Sequence, residues 1–318
     1  MNRPSAVSSP TLERLEAAWQ RSDRIFAILT PEAIHARPIG LRQPFLFYVG
    51  HLPAFAWNHL GRRVAGCEPF AAELDVLFER GIDPPDDGEA PEDEAWPALE
   101  EVLAYRDRVR SLLPELLEGE GVEVVATMVL EHELMHHETL LYMVQQLEPG
   151  LKRIPDLPLE PPRGGGVPQA SVPVPAGRVV LGAARDGRFR WDNEHPELTV
   201  EVAAFRIDAL PVTNRDFREF VAGGGYEDRR LWTDDGWDWI SHRNHRQPGS
   251  WIASRGEVRV RTLLGSCGFE EAAQWPAAGM HFEAAAFARW RGGRLPPEAE
   301  YHRAPVGAPD GVDREHPW

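Results

Sequence analysis

Basic residues are scarce in this chain. Lysine and arginine together number 34, against 50 aspartates and glutamates, which gives a formal net charge of −16. Nucleic-acid backbones and anionic membrane surfaces attract proteins through basic patches. The charge balance therefore argues against nucleic acid or membrane as the main partner, and it leaves small molecules or other proteins.

Cysteines and long apolar runs are scarce as well. The two cysteines, Cys67 and Cys267, lie far apart and match no paired metal-binding or redox spacing. No apolar run approaches the roughly 18 residues that span a bilayer, and Met1 to Pro10 has no basic-then-apolar signal pattern. The sequence therefore predicts a cytoplasmic protein with two reduced thiols.

A segment rich in proline and glycine, residues 149–170, separates two halves of different composition. The full length of 318 residues is enough for two domains, each with its own core. We therefore predict one domain over residues 1–148, a linker over 149–170, and a second domain over 171–318.

The first half has the periodicity of helices. Apolar residues recur at helical spacing after Pro10, after Pro44, from about Trp96 to Leu117 and from about Val122 to Leu147. The acidic, proline-rich run from Asp83 to Glu94 indicates a solvated loop. Four helices of this length predict a four-helix bundle, a fold that builds metal sites from side chains on facing helices.

The predicted fourth helix carries the strongest chemical signal. At about 100° per residue, His132, Met135 and His136 fall on its apolar face. Histidines at i and i+4 can bring two imidazoles within reach of one metal ion. Two satisfied core histidines would show the same spacing, but two unpaired buried rings would cost roughly 1–3 kcal/mol each. We predict a metal-binding pair, and His137, about 100° further round, should miss the metal.

Two further assignments stay open from the residues alone. The run from His132 to His136 also spells H-E-x-x-H, the zinc-peptidase motif in which the glutamate is a general base. His51, on the very apolar second helix, is a candidate third ligand, and a core or capping role fits its spacing equally well. His59, near Arg62 and Arg63, is predicted to lie on the surface.

The second half has short apolar runs punctuated by glycine, which is typical of an α+β domain with many turns. Helices are predicted for Asn214 to Ala222 and for His281 to Arg291. Tryptophans are frequent and most simply pack in a core: Trp191, Trp232, Trp237, Trp239, Trp251, Trp275, Trp290 and Trp318.

The second half also carries short motifs in one order along the chain. They are Val174-Pro175-Ala176-Gly177, Leu181-Gly182, Asp192-Asn193-Glu194-His195-Pro196, Phe205-Arg206-Ile207-Asp208, Pro211-Val212-Thr213-Asn214, Gly223-Gly224-Gly225-Tyr226, Trp232, Asp235-Gly236-Trp237 and Arg294-Leu295-Pro296-Pro297-Glu298-Ala299-Glu300. Together they resemble the domain family of the formylglycine-generating, sulfatase-modifying enzymes. The enzymes of that class bind copper through late cysteines, and this chain has only Cys267 there, so that activity is not expected.

The first half is similar to the DinB-like metal-binding four-helix bundles. The pairing of the two domains resembles the iron(II)-dependent sulfoxide synthases of ergothioneine and ovothiol biosynthesis. The resemblance implies a two-domain α+β protein, in which a DinB-like bundle precedes a C-type-lectin-like sulfatase-modifying-factor domain. Carried over by position, it also implies an iron(II) site formed by His51, His132 and His136. The resemblance makes the zinc-peptidase alternative less favoured, since the third ligand of a peptidase normally lies downstream, where the candidates are Glu148 and the linker glutamate Glu160.

The implied reaction joins a thiol to the imidazole of a histidine derivative with O2 and gives a sulfoxide. In the ergothioneine branch the thiol is γ-glutamylcysteine or cysteine and the acceptor is Nα-trimethylhistidine. Ovothiol-type synthases, which use unmodified histidine, and selenoneine-type synthases are alternatives within the family. A zinc hydrolase and a non-catalytic metal-binding module are alternatives from other classes.

Further expectations concern the surroundings of the iron. Glu133 and Glu138 are candidates to orient the ligating imidazoles as hydrogen-bond acceptors, although plain surface carboxylates fit equally well. A trimethylammonium group favours aromatic walls, which the tryptophans of the second domain could supply. In relatives a long C-terminal stretch follows the motif His316-Pro317-Trp318. The second domain is therefore expected to be incomplete, with the proton-donating tyrosine of the family beyond Trp318.

Overall fold

A computed structural model of the chain describes residues 10–79, 96–119, 121–153, 169–254 and 256–305. Contacts divide the chain into two compact units. The first comprises Met1–Pro158, Gly187–Phe189 and Thr262–Gly265, and the second comprises Leu159–Asp186, Arg190–Arg261 and Ser266–Trp318.

The first unit is a helical bundle, as the sequence predicts. Its helices are α1 (Pro10–Phe26), α2 (Phe45–Ala56), α3 (Ala72–Leu77), α4 (Leu99–Leu116) and α5 (Glu123–Gln146). The four long helices are those expected from the apolar periodicity, and the bounds of α4 and α5 agree with the prediction within three residues. The short α3 was not predicted. The acidic run from Asp83 to Glu94 lies outside the described residues.

Helix α2 occupies the centre of the bundle. It packs against both α4 and α5, while α1 packs against α5. Gly50 and Pro53 disfavour a helix by intrinsic propensity, yet every residue of α2 except Phe55 is buried. Burial on all sides of an apolar helix therefore outweighs the local propensity. The helix continues into a π-helical segment, Trp57–Val64, a rare form that often accompanies functional sites.

The first residues of the predicted linker belong to the bundle unit. The Thr30 amide donates to the Leu151 carbonyl at 3.1 Å, and the Arg153 amide donates to the Ile28 carbonyl at 2.6 Å. These bonds tie the chain after α5 to the chain after α1. Residues 154–168 lie outside the described part of the chain, so that part of the linker stays a prediction.

The second unit is an α+β unit with small antiparallel sheets. Strands β1 (Ser171–Val174) and β4 (Phe205–Asp208) form one pair, and β2 (Gly177–Leu181) and β3 (Leu198–Val202) form another. A three-stranded sheet has the order β5 (Trp251–Ser254), β6 (Glu257–Arg261) and β7 (Ser266–Gly268). The helices are α6 (Asn214–Ala222), α7 (Asp234–His242), α8 (Phe269–Ala272), α9 (His281–Trp290) and α10 (Glu298–Arg303).

The predicted helices of this unit are present. Helix α6 begins as predicted after Thr213, whose Oγ1 accepts a hydrogen bond from the Asp216 amide at 3.2 Å. Such a cap satisfies an amide that has no partner within the helix. The prediction that the tryptophans pack in a core is confirmed for Trp232 and Trp251, which are buried in the core of this unit.

No helix in the described ranges has the length and apolar character needed to cross a bilayer.

Candidate metal centre

Three histidines converge inside the bundle. His51 comes from α2, and His132 and His136 come from adjacent turns of α5. One ring nitrogen of each histidine lies within 4.8 Å of those of the other two. The Nε2 atoms of His132 and His136 are 3.2 Å apart. All three side chains are buried, so the structure brings together the three residues that the sequence singled out.

A backbone carbonyl fixes the orientation of His51. Its Nδ1–H donates to the Phe78 carbonyl at 2.7 Å, which leaves the lone pair of Nε2 directed at the cluster. Phe78 directly follows α3, the helix that the sequence did not predict. Its ring packs against Gly50, where an added Cβ would lie 2.4 Å from the ring. A glycine next to His51 therefore allows Phe78 to come close enough to hold the imidazole.

Aromatic side chains of α2 surround the three imidazoles. The Phe55 ring is stacked on His132, with ring centroids 3.6 Å apart and an interplanar angle of 6°. Phe47 is stacked on His51 at 4.9 Å, and Tyr48 lies 5.5 Å from His136. These contacts limit the rotation of each imidazole and keep apolar surface around the cluster.

Burial keeps the three histidines neutral. It is the largest cause of the lowered pKa of His51, which the hydrogen bond to Phe78 partly offsets. Burial lowers the pKa of His136 to about 3, with smaller contributions from His51, His137 and Arg42. The pKa of His132 lies well below its ordinary value, first through burial and then through repulsion from the neighbouring histidines. Neutral imidazoles have the free lone pairs that a metal ion requires.

The donor set fits a transition-metal ion. Metal-bound histidines usually donate their second ring nitrogen to a carbonyl or carboxylate, as His51 does. The two facing Nε2 atoms of His132 and His136 share one site, and Nδ1 of His136 is buried without a partner among the described residues. A metal ion would use the converging lone pairs, which are otherwise costly to bury. Imidazole suits both iron and zinc, so ligand type alone does not choose between them.

A second buried polar group lies on the neighbouring face of α5, towards α1. The Ser22 hydroxyl of α1 donates to Oε1 of Glu133 and lies 2.8 Å from Nε2 of His137. All three side chains are buried. Burial raises the pKa of Glu133 to about 6, although the Ser22 bond acts in the opposite direction. Burial also lowers the pKa of His137 to about 4.

This arrangement bears on the H-E-x-x-H alternative. A peptidase glutamate has to act on the metal-bound water, and so it must face the metal. Glu133 instead accepts a hydrogen bond from Ser22 of α1 inside the bundle. The geometry around Glu133 therefore does not provide the general base that this motif requires.

The structure also locates the remaining predicted site residues. Met135 was expected on the apolar face and is 47% exposed, because α5 turns two faces to the bundle and Met135 lies on neither. Glu138 is exposed, and no bond from Glu133 or Glu138 to a cluster imidazole occurs among the described residues. His59 was expected on the surface but is partly buried, with its ring 4.3 Å from Phe55.

Ser22, Phe78 and the aromatic side chains of α2 lie near the cluster, and the sequence did not single them out. For Ser22 a signal exists, because it is the polar member of an otherwise apolar inward series on α1, Leu15, Ala18, Ser22 and Ile25. Phe78 acts through its backbone carbonyl, which no residue pattern identifies. The motif His316-Pro317-Trp318 lies outside the described residues.

Comparisons with known proteins support the two-domain assignment. Residues 161–318 match the family described as the sulfatase-modifying factor enzyme 1-like domain. Residues 14–140 match the DinB superfamily. The helical unit that holds the three histidines and the α+β unit thus correspond to two different known domain families.

Several known proteins are similar to this chain in sequence. Ergothioneine biosynthesis protein 1 of Neurospora crassa is 31% identical over 333 residues, a match that covers 90% of this chain and 37% of the relative. Hercynine oxygenase of Mycolicibacterium thermoresistibile is 37% identical over 60% of this chain and 42% of its own length. Hercynine oxygenase of Mycobacterium tuberculosis is 37% identical over 65% of this chain and 47% of its own length. The chain therefore spans less than half the length of these relatives.

Proposed function

This chain belongs to the sulfoxide synthase family of ergothioneine and ovothiol biosynthesis, and on that basis we propose that it is a non-haem iron(II) enzyme. The proposed reaction joins a thiol to the imidazole of a histidine derivative with O2. The observation that carries the proposal is the convergence of three buried, neutral imidazoles from α2 and α5 on one point. The first choice of substrates is γ-glutamylcysteine or cysteine with Nα-trimethylhistidine.

The overall stoichiometry defines what the site has to do. The thiol loses its S–H hydrogen, the imidazole loses a C–H hydrogen, and a C–S bond forms. O2 supplies the sulfoxide oxygen and leaves its second oxygen as water with the two hydrogens. Iron(II) held by His51, His132 and His136 would supply the activation of O2, because three protein ligands leave coordination positions open for small molecules.

The residues of the chain have separate parts in this proposal. His51, His132 and His136 hold the metal, and the Phe78 carbonyl keeps His51 in the tautomer that presents Nε2. Phe47, Tyr48 and Phe55 keep the imidazoles in place and exclude water from that side. Iron is chosen over zinc on the family relationship, since the donor atoms suit both metals.

Anaerobic metal reconstitution tests the proposal. Metal-free wild type, His51→Ala and the control His35→Ala would be loaded with iron(II), and their metal content measured. The side chain of His35 is exposed, so its loss removes a histidine without touching the cluster. We expect wild type and His35→Ala to retain iron and His51→Ala to lose it. O2 uptake should require both a thiol and an imidazole acceptor, and the preferred acceptor would distinguish the ergothioneine branch from the ovothiol branch.

Other results would support the alternatives. Metal retained by His51→Ala would reject the three-histidine centre. Peptide hydrolysis that depends on Glu133 and survives the loss of His51 would identify a zinc hydrolase. Tight iron binding without O2 uptake for any substrate pair would indicate a metal-binding module.

A further inference from the structure

The buried contact between α1 and α5 contains a short chain of hydrogen bonds. The Ser22 hydroxyl has one proton, which it donates to Oε1 of Glu133. The ring nitrogen Nε2 of His137, 2.8 Å from the same hydroxyl oxygen, must then be the donor to Ser22. One serine thus links two polar side chains of α5, and all three groups are buried.

A contact of this kind is sensitive to helix rotation. Apolar side chains tolerate small shifts, because dispersion and burial have little directionality. Hydrogen bonds require close distance and alignment, and a buried polar group that loses its partner destabilises the native state. The Ser22 bonds therefore favour one rotation of α5 about its own axis relative to α1.

The same rotation determines where the metal ligands point. Glu133 and His137 follow His132 and His136 by one residue each, so the two pairs lie on the same two turns of α5, about 100° apart. A turn of α5 that breaks the Ser22 bonds also moves His132 and His136 away from His51. The two pairs share one rigid helix and cannot reorient independently.

We propose that Ser22, Glu133 and His137 are positioning residues that fix the rotation of α5 and so direct His132 and His136 at the point where His51 converges. The inference rests on the proposed metal centre of the preceding section. It gives the glutamate of the H-E-x-x-H sequence a role away from the metal, as the acceptor of a bond from another helix. It also gives His137 a role, although this histidine points away from the cluster.

Cobalt(II) binding provides a test that is independent of turnover. The metal-free full-length protein would be titrated with Co2+, and both the Kd and the visible d–d spectrum recorded. Ser22→Ala removes the linking hydroxyl with little change of volume. We expect its Co2+ affinity to fall by about tenfold or more, in line with the usual effect of residues that orient ligands, and its spectrum to change. Glu133→Gln keeps an acceptor oxygen at the same position and should stay within about threefold of wild type, by the same reasoning.

Tyr226→Phe is the matched control. The Tyr226 hydroxyl donates to the buried Glu283 at 2.5 Å in the second unit, so this variant also removes one hydroxyl from one buried glutamate. It should lower the free energy of unfolding and leave the Co2+ Kd and spectrum as in wild type. Should Ser22→Ala fail to fold, Ser22→Cys keeps a weak donor of similar size, and an affinity between those of wild type and His132→Ala would support the proposal.

The outcomes separate this inference from the proposed function. If wild type binds Co2+ through the three histidines and Ser22→Ala binds it equally well with the same spectrum, the Ser22 contact is purely structural and the positioning role is wrong. If wild type binds no Co2+, or His51→Ala binds it like wild type, the metal centre itself is wrong and the positioning role is rejected with it.

Discussion

Helix α5 carries two buried polar pairs with the same spacing and different chemistry. His132 and His136 face α2, whereas Glu133 and His137 face α1. On the α1 side, the Ser22 hydroxyl links the glutamate and the histidine by direct hydrogen bonds. On the α2 side the ring nitrogens converge with that of His51. In α5 the i, i+4 spacing therefore indicates a buried pair, and the side chains of the facing helix determine the chemistry of that pair.

The electrostatics of the two sides differ in the same way. The α2 side gathers three imidazoles whose pKa values are all lowered, so it is a site of neutral donors. The α1 side pairs a neutral histidine with a carboxyl whose pKa is raised to about 6. A metal cation would be stabilised by the converging lone pairs of the first side. On the second side the Ser22 hydroxyl engages Glu133 and Nε2 of His137.

The largest expected effect separates the neighbouring residues His136 and His137. His136→Ala removes a proposed ligand and should weaken Co2+ binding by more than about 100-fold, whereas His137→Ala should weaken it by about tenfold, the usual range for a residue that only orients ligands. Titration of the metal-free protein with Co2+ measures both values. Equal losses in the two variants would contradict the division of α5 into a ligand face and a positioning face.

A second prediction concerns the α2 side of the cluster. Gly50→Ala would place a Cβ about 2.4 Å from the buried Phe78 ring, so Phe78, and with it the carbonyl that holds His51, must shift. Overpacking of this kind costs about 1–3 kcal/mol in the free energy of unfolding, and Co2+ affinity should fall as well. The control Gly40→Ala meets no atom within 4 Å and should change stability by less than about 0.5 kcal/mol. Chemical denaturation of both variants tests the pair, and a Gly50→Ala protein as stable as wild type would contradict it.

The pH dependence of the metal-free protein gives a smaller effect. Unfolded histidines bind protons near pH 6.5, whereas native His136 does so only near pH 3, so each buried histidine makes the native state less stable as pH falls below about 6.5. Glu133 acts in the opposite direction, because its native pKa of about 6 lies above the ordinary glutamate value of 4.5. The native protein therefore binds an extra proton between these two pH values and loses stability as pH rises through them. Glu133→Gln removes this opposing contribution.

The measurement is urea denaturation of the chelated protein at several pH values between 4.5 and 6. Stability should rise with pH in both proteins, and it should rise more steeply in Glu133→Gln, by up to about 1.4 kcal/mol per pH unit. Parallel curves would show that Glu133 does not titrate in this range in the native state.

Only those parts of the site that follow from residue spacing within one helix could be predicted from the sequence. The periodicity of α5 and the His132/His136 spacing were sufficient to expect a metal pair, and the four long helices followed from apolar repeats. The role of Phe78 could not be predicted, because a backbone carbonyl has no sequence signature and α3, which positions it, is only six residues long. The expectation that Met135 is buried was wrong, since a single apolar face was assumed where α5 presents two. The contact of Ser22 with α5 depends on which helices are neighbours, and spacing within one helix does not contain that information.

The smallest expected effect concerns Glu138, which lies one residue after His137 and is exposed. A solvated carboxylate on a helix surface contributes little to folding, and one that faces water cannot fix the ring of a buried imidazole. Glu138→Ala should therefore keep the Co2+ Kd within about twofold and the free energy of unfolding within about 0.5 kcal/mol of wild type. Ser22→Ala, measured beside it, should differ from wild type in both quantities. A tenfold loss of Co2+ affinity in Glu138→Ala would mean that metal loading turns this carboxylate towards the ligands, and the fixed orientation of α5 assumed for both polar faces would then be wrong.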